Sequence, residues 1–437
     1  MIMAYSVVTV ILILIAAFVS RSVAEMRTAQ REKNSFAALY AAESGIDYGF
    51  TWLTLQPAPP AGTTPIVNPV ITGVPKPALT TGAYSVTIIP NAGNPTNWPK
   101  RYEIVSAGTS GDSTRTVYYE VKRDTFASNI WFTNTESYGG TDVWFVTVDS
   151  LNGPVHTNDS FNISGNPQFP DLIDPHPTEE SGPSINYMHP PDSNPLTVDD
   201  NPYFAQPVDF NVDPINMPTH DDTAPLRNAA ASGGRVFIGK TTIILNANGT
   251  MNVTTDDHTY NNTNMPIPAN GAIYVQNRIQ GNHITEYGDA SVRGTLNGRL
   301  TIQANDDIII TGNIQYNSNP QTNPNSTDTL GLVAEGDVMI LQNACPANGN
   351  LTIQAAVMAI ADSLYLEDWT STMKGTLNIY GGVTQNQRGP VGTFNINNST
   401  KASGFSKNYI YDRRLRDAPP PYYPDTKKYK GVAWRDQ

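Results

Sequence analysis

A single cysteine, Cys345, stands among 437 residues. That excludes a disulfide within the chain and any zinc or iron–sulfur centre built on several cysteines. Charge is scarce too, at 15% of residues, so most of the surface must be made of neutral polar groups. Basic residues are the scarcer sign: 27 Lys and Arg face 39 Asp and Glu, for a formal net charge of −12. A phosphate backbone is bound by clustered cations, so no nucleic-acid partner is expected. What the chain has in abundance is Asn, 42 times, beside 34 Pro and 33 Gly. These residues favour turns and short strands over long helices. The length sets a prior of about three domains and is ample for a buried core.

The negative charge is concentrated. Between Asp171 and Asp222 there are eleven acidic residues, ten prolines and no Lys or Arg. Proline removes backbone donors and breaks helices and central strands, so residues 171–222 read as an irregular, solvated excursion. Oxygen-rich segments also attract hard cations, but no Asp-x-Asp-x-Asp-Gly loop is present to hold calcium.

The N-terminus is the exception to the rule of short elements. Met1 to Val19 is apolar apart from Tyr5, Ser6 and Thr9, with a dense run through Val10, Ile11, Leu12, Ile13, Leu14, Ile15, Phe18 and Val19. A bilayer core takes about 20 such residues, so a membrane span is expected. Arg21 to Leu55 contains no proline and continues in helical register, with apolar Phe36, Leu39, Ile46, Phe50 and Leu53 at spacings of three, four and their multiples. These five are expected to clamp a following domain onto one helix of about 50 residues.

That pattern, with Ala41-Ala42-Glu43-Ser44-Gly45-Ile46-Asp47 at its end, resembles the N-terminal region of PilX-type minor pilins of type IV pilus systems. Tyr5 stands where major pilins usually carry a glutamate. The resemblance implies a helix held in a bacterial inner membrane and able to pack into a filament core, with the bulk of the chain exported to the periplasm, pilus or cell surface. Implied partners are other pilin-like subunits, the assembly machinery and membrane lipid; the Asn-, Thr- and Gly-rich surface expected of the exported part suits glycans or surface polymers as further candidates. No cofactor, metal or catalytic role is expected of such a subunit, a membrane-anchored polysaccharide-acting enzyme being the alternative reading.

Pro57 to Pro77 is rich in Pro, Gly and Thr, which suits a linker. Alternating segments at Tyr84–Ile88, Tyr102–Val105 and Arg115–Val121 then predict a small antiparallel sheet. Farther on, the run Gly153-Pro154-Val155-His156-Thr157-Asn158-Asp159 through Gly165-Asn166-Pro167 resembles a segment of large pilin-like proteins that carry a domain of uncharacterised function, DUF4900. His156 and Asp159 invite an acid–base or metal reading, yet spacing supplies no third ligand. His176, His189 and His220-Asp221-Asp222 lack the helical spacing of a zinc site.

Asn297-Gly298-Arg299-Leu300-Thr301-Ile302-Gln303-Ala304 returns nearly unchanged as Asn348-Gly349-Asn350-Leu351-Thr352-Ile353-Gln354-Ala355. Gly375-Thr376-Leu377-Asn378-Ile379 follows the second copy, and a second set reads Ile308-Ile309-Ile310, Val338-Met339-Ile340 and Leu364-Tyr365-Leu366, each after an Asp-bearing turn. Recurring short apolar strands with Asn and Gly corners predict a β-solenoid, a sandwich of antiparallel strands being the rival. Solenoids also carry polysaccharide-acting enzymes, which need paired carboxylates. Asp306-Asp307 is the best pair, with one side chain expected outward and the other inward or at a corner, as for strand neighbours, and Asp256-Asp257-His258 the second. Neither has a companion motif.

The sequence therefore divides into a transmembrane, pilin-like helix (1–55), a linker (56–80), a small β head (81–127), an irregular β region (128–232), a solenoid-like domain (233–402) and an aromatic, Pro-rich tail (403–437). The fold class is mainly β with a long N-terminal α-helix. The tail, with Pro419-Pro420-Pro421-Tyr422-Tyr423-Pro424, is expected to cover an exposed end or edge of the β domain.

Overall fold

The computed structural model describes residues 2–56, 59–60, 62–72, 76, 79–90, 100–171, 177–192, 199–395, 397 and 400–437. A long N-terminal helix is followed by a β-rich remainder, and the chain forms two compact units. The first comprises residues 1–123 and 427–437, the second residues 124–426.

In the first unit one uninterrupted helix runs Ile2–Thr54. Its early turns are exposed all round, and burial begins only at Ala38. The later turns lie on an antiparallel sheet in which Ala83–Pro90 pairs with Arg101–Ser110, and Arg101–Ser110 with Ser113–Thr125. Every second residue of Arg101–Ser110 is buried, as a half-covered sheet requires. Ile66–Val67, inside the expected linker, adds an edge strand, and Asp425–Asp436 adds the opposite one. The last strand of the expected tail thus belongs to this sheet.

The second unit is built mainly on parallel ladders. In one of them Arg235–Ile238, Ala272–Gln276, Arg299–Ala304, Thr329–Ala334, the end of Leu351–Ala359 and the end of Met373–Gln387 follow each other in chain order. The next neighbour is not the next strand in sequence. Val383 faces Trp131, and the ladder continues through Trp131–Thr135, Val155–Thr157, Thr178–Glu180 and Val208–Phe210. The chain therefore enters in mid-ladder, runs to one end, and begins again at the other after the short helix Ala224–Ala231. A second ladder joins Thr241–Asn246, Ala290–Leu296, Ile308–Tyr316, Val338–Ile340 and Leu364–Leu366. Leu, Ile and Val from both ladders share one core.

Three sequence expectations need correction. The two copies of the repeat do not stack in the register of their likeness: Thr301 faces Gly331 and Gly331 faces Ala356, while Ile353 of the second copy faces Ile314, because backbone register and not side-chain likeness sets the stacking. Residues 171–222 are not simply an excursion. Thr178–Glu180, Asn186–Tyr187, Tyr203–Phe204 and Val208–Phe210 all pair in parallel with earlier strands, and Asp171, Glu180 and Asp200 are buried. Strands of two or three residues fit between prolines without surrendering ladder hydrogen bonds. The prolines of the tail do not cap an end. They lie across ladder strands, where Arg299 Nη2 donates to the Pro419 carbonyl at 2.7 Å and Thr301 Oγ1 to that of Pro421. Tyr423 is buried against Gly331, where a Cβ would come within 2.8 Å of its ring.

Candidate functional site

The seam between helix and sheet is made by small residues. Ala38, Ala41 and Ala42 have almost no exposed surface, and with Gly45 and Gly49 they recur on one helical face. A Cβ on Gly108 would stand 2.1 Å from the Ala38 carbonyl oxygen and 2.3 Å from the Ala42 amide nitrogen. A Cβ on Gly45 would meet Ser106 Oγ at 2.1 Å, and one on Gly49 would meet Ile104 at 2.8 Å. Backbone thus lies almost directly on backbone. This gives the Ala-Ala-Glu-Ser-Gly motif a packing role.

The large residues expected as clamps divide. Ile46 and Leu53 are buried in the core of this unit, and Leu39 and Phe50 pack against it half-buried. Phe36 takes no part in that core: it is 61% exposed, as Tyr40 one turn on is also exposed, although Asn34 and Ser35 beside it already meet the sheet at Asp112 and Arg115. The signal missed in the sequence was the run of Ala and Gly at helical spacing, which large apolar residues overshadow. Val10, Ile11, Leu12, Ile13, Leu14, Ile15, Phe18 and Val19 are all exposed. The helix is long and apolar enough there to cross a membrane.

The candidate catalytic pairs are separated by their partners. His156 is buried and stacked on Phe132 with ring centroids 5.1 Å apart. Its Nδ1 contacts Glu179 Oε2 at 2.8 Å and its Nε2 contacts Asn158 Oδ1 at 3.0 Å. Asp159 instead accepts from the backbone amides of Glu136 and Ser160. His189 sits beside Asp200, and His220 beside Glu335. His176 lies outside the described residues. Asp257 pairs with Arg278 at 2.9 Å, and hydrogen bonds from Thr255, Thr259 and Arg278 hold its carboxyl well below the usual range.

Asp306 and Asp307 lie at the corner between Arg299–Ala304 and Ile308–Tyr316 and not within a strand, so the alternation of strand neighbours does not apply to them. Their carboxylates and that of Asp289 lie within 4.8 Å of one another. The arrangement is a column: Asp307 Oδ1 accepts from the Asp337 amide at 2.8 Å, and Asp337 Oδ1 from the Ser363 amide at 2.8 Å. Burial, then the neighbouring aspartates, push Asp306 up to about 6, and burial does the same to Asp337 despite its hydrogen bond from Ser363. Asp307 and Asp337 thus each serve the backbone of the turn stacked beside it.

A family model described as a domain of unknown function (DUF4900) matches residues 98–174, a stretch that includes Arg101–Ser110 and Ser113–Thr125 of the head sheet and the parallel strands Trp131–Thr135 and Val155–Thr157. Among solved structures, the competence-associated pilin ComZ from Thermus thermophilus is similar over 92% of this chain and 97% of that one, with 14% sequence identity and a TM-score of 0.34. No curated protein matches.

Proposed function

We propose that this chain is a structural, pilin-like subunit of the minor-pilin, PilX-like kind, belonging to a type IV pilus or a related pseudopilus apparatus. One observation carries the reading: a single helix is apolar and exposed for its first half and seated by Ala and Gly on a sheet for its second. An apolar all-round segment is stable in lipid or among other helices. The seated half fixes that segment to a folded head. The β-rich unit is then carried outside the inner membrane, where it presents a surface for adhesion or for neighbouring subunits. The protein acts by shape and binding, not by catalysis. Mass spectrometry of the N-terminal peptide from sheared filaments tests this: a processed terminus recovered in filaments is expected, and an unprocessed one confined to membranes overturns it.

The parallel ladders are, on the same proposal, coils of a β-solenoid. The support is their register, together with asparagines stacked one above another: Asn158 Nδ2 donates to Asn134 Oδ1 at 3.0 Å, and Asn134 Nδ2 to Asn386 Oδ1 at 2.9 Å. Cysteines introduced at Asn134 and Asn386 are expected to form a disulfide, since neighbouring strands lie about 5 Å apart. Absence of that crosslink under oxidising conditions would sink the coil reading.

A further inference from the structure

Two antiparallel hairpins interrupt the parallel ladders side by side. In one, Tyr138 faces Thr141; in the other, Thr393 faces Ser403. Between them opens a cavity of about 370 Å³, within the range of about 300–1,000 Å³ usual for small-molecule sites. Its wall is aromatic: Tyr138, Trp144, Trp369 and Phe394 line it and all four are half-buried, so ring surface remains available. Trp369 is braced edge-on by Tyr138, with centroids 5.5 Å apart and planes at 82°.

The floor is polar but electrically balanced. Asp149 and Lys407 line it, both buried, with Lys407 Nζ 2.6 Å from Asp149 Oδ2. Asp149 also accepts from the amides of Val146 and Lys407, so its oxygens are well supplied. An ammonium group has three donors. Hydrogen bonds among the described residues give this one a single acceptor, Asp149. At the rim, Lys401 Nζ is held by the carbonyls of Lys374 and Gly375, and Asp142 is exposed. Two lysines and two aspartates cancel.

We infer that this cavity binds a neutral pyranose ring, as part of an uncharged oligosaccharide. The apolar C–H face of a pyranose carries partial positive charge and is attracted to the negative face of an aromatic ring. Its hydroxyls need donors and acceptors at the edges, which Lys407, Asp142, Thr141 and Thr393 supply. A charged sugar would add unbalanced charge beside a desolvated ion pair, which is unfavourable. An aliphatic ligand would leave the Lys407 donors without acceptors. The inference does not rest on the filament reading and survives its failure.

The test is titration of the full chain in detergent micelles with maltotriose, cellotriose, chitotriose, mannotriose and trigalacturonate, followed by calorimetry and by tryptophan fluorescence. At least one neutral trisaccharide is expected to bind and to quench tryptophan emission. Trp369→Ala and Trp144→Ala should each weaken it at least tenfold, Trp369→Phe less, and Phe210→Ala, an exposed residue elsewhere, not at all. Circular dichroism of each variant establishes that it has folded. No binding of any neutral trisaccharide overturns the inference. So does unchanged binding by a folded Trp144→Ala/Trp369→Ala double variant, or tighter binding of trigalacturonate.

Discussion

Arg388 Nη1 donates to Glu136 Oε2 at 2.7 Å across 252 residues of chain, and neither side chain has any exposed surface. Glu136 also accepts from Trp131 Nε1 and Thr133 Oγ1, while the guanidinium lies 3.5 Å from the centre of the Phe145 ring. The pair sits where late strands stack on early ones. It joins the ends of Trp131–Thr135 and Met373–Gln387, which are neighbours in the ladder. Removing one partner leaves a buried charge alone, at a cost of about 3–5 kcal/mol. Glu136→Leu and Arg388→Met are therefore each expected to lower the urea midpoint strongly, and the double variant to be more stable than the sum of the two losses predicts. Equal additivity would show that the residues do not act as a pair.

Gly108 makes a second, steric prediction. A methyl group there would meet helix backbone, not a flexible side chain, and overpacking of that kind costs about 1–3 kcal/mol. Gly108→Ala should loosen the helix from the sheet, read as faster amide exchange at Val86 and Ile104. Phe36→Ala should leave those amides unchanged, because Phe36 is exposed.

The buried carboxyl of Glu180 predicts a pH dependence. Burial pushes it up to about 7, against about 4.3 in an unfolded chain. The folded state thus binds the proton more tightly between those values. The associated stability is present in full below the unfolded value and is lost as pH rises through 7. Glu180→Gln keeps the acceptor for the Phe161 amide and removes the titration. Its stability relative to the parent should improve from pH 4.5 to pH 8; a constant difference across that interval would refute the assignment.

The aspartate column behaves alike but by a different balance. Asp306 is raised to about 6 by burial and then by Asp307 and Asp289. Asp306→Asn should raise the urea midpoint at pH 8 and give no gain at pH 4, where the native carboxyl is already protonated. Asp307→Ala should be destabilising at both, since the Asp337 amide loses its acceptor at 2.8 Å, worth about 1–3 kcal/mol when buried.

The helix was legible because its signal is local: unbroken register, no proline and a long apolar run. The Asp-bearing turns before Ile308, Val338 and Leu364 were legible as a recurring set, and the structure stacks those strands in register. The ligand cavity was not. Tyr138, Trp144, Trp369 and Phe394 are scattered over more than half the length of the chain, and no spacing connects them. The Pro-rich acidic block misled because composition reports average solvation, whereas Glu180 and Asp200 are buried by strands only two or three residues long.

By itself the sequence determined what depends on neighbours along the chain: an apolar helix, the alternation of a small sheet, short strands punctuated by Asn, Gly and Pro, and charge gathered in one block. The tertiary structure decided what depends on closure between distant segments. It set Val383 against Trp131, paired Arg388 with Glu136, and chose Ala38, Ala42 and Gly108 for the helix seam over the larger Phe36. The reason is physical. Ladder register and close packing are satisfied only when two surfaces meet, and which surfaces meet is fixed by their joint shape and hydrogen bonding, not by either segment's composition.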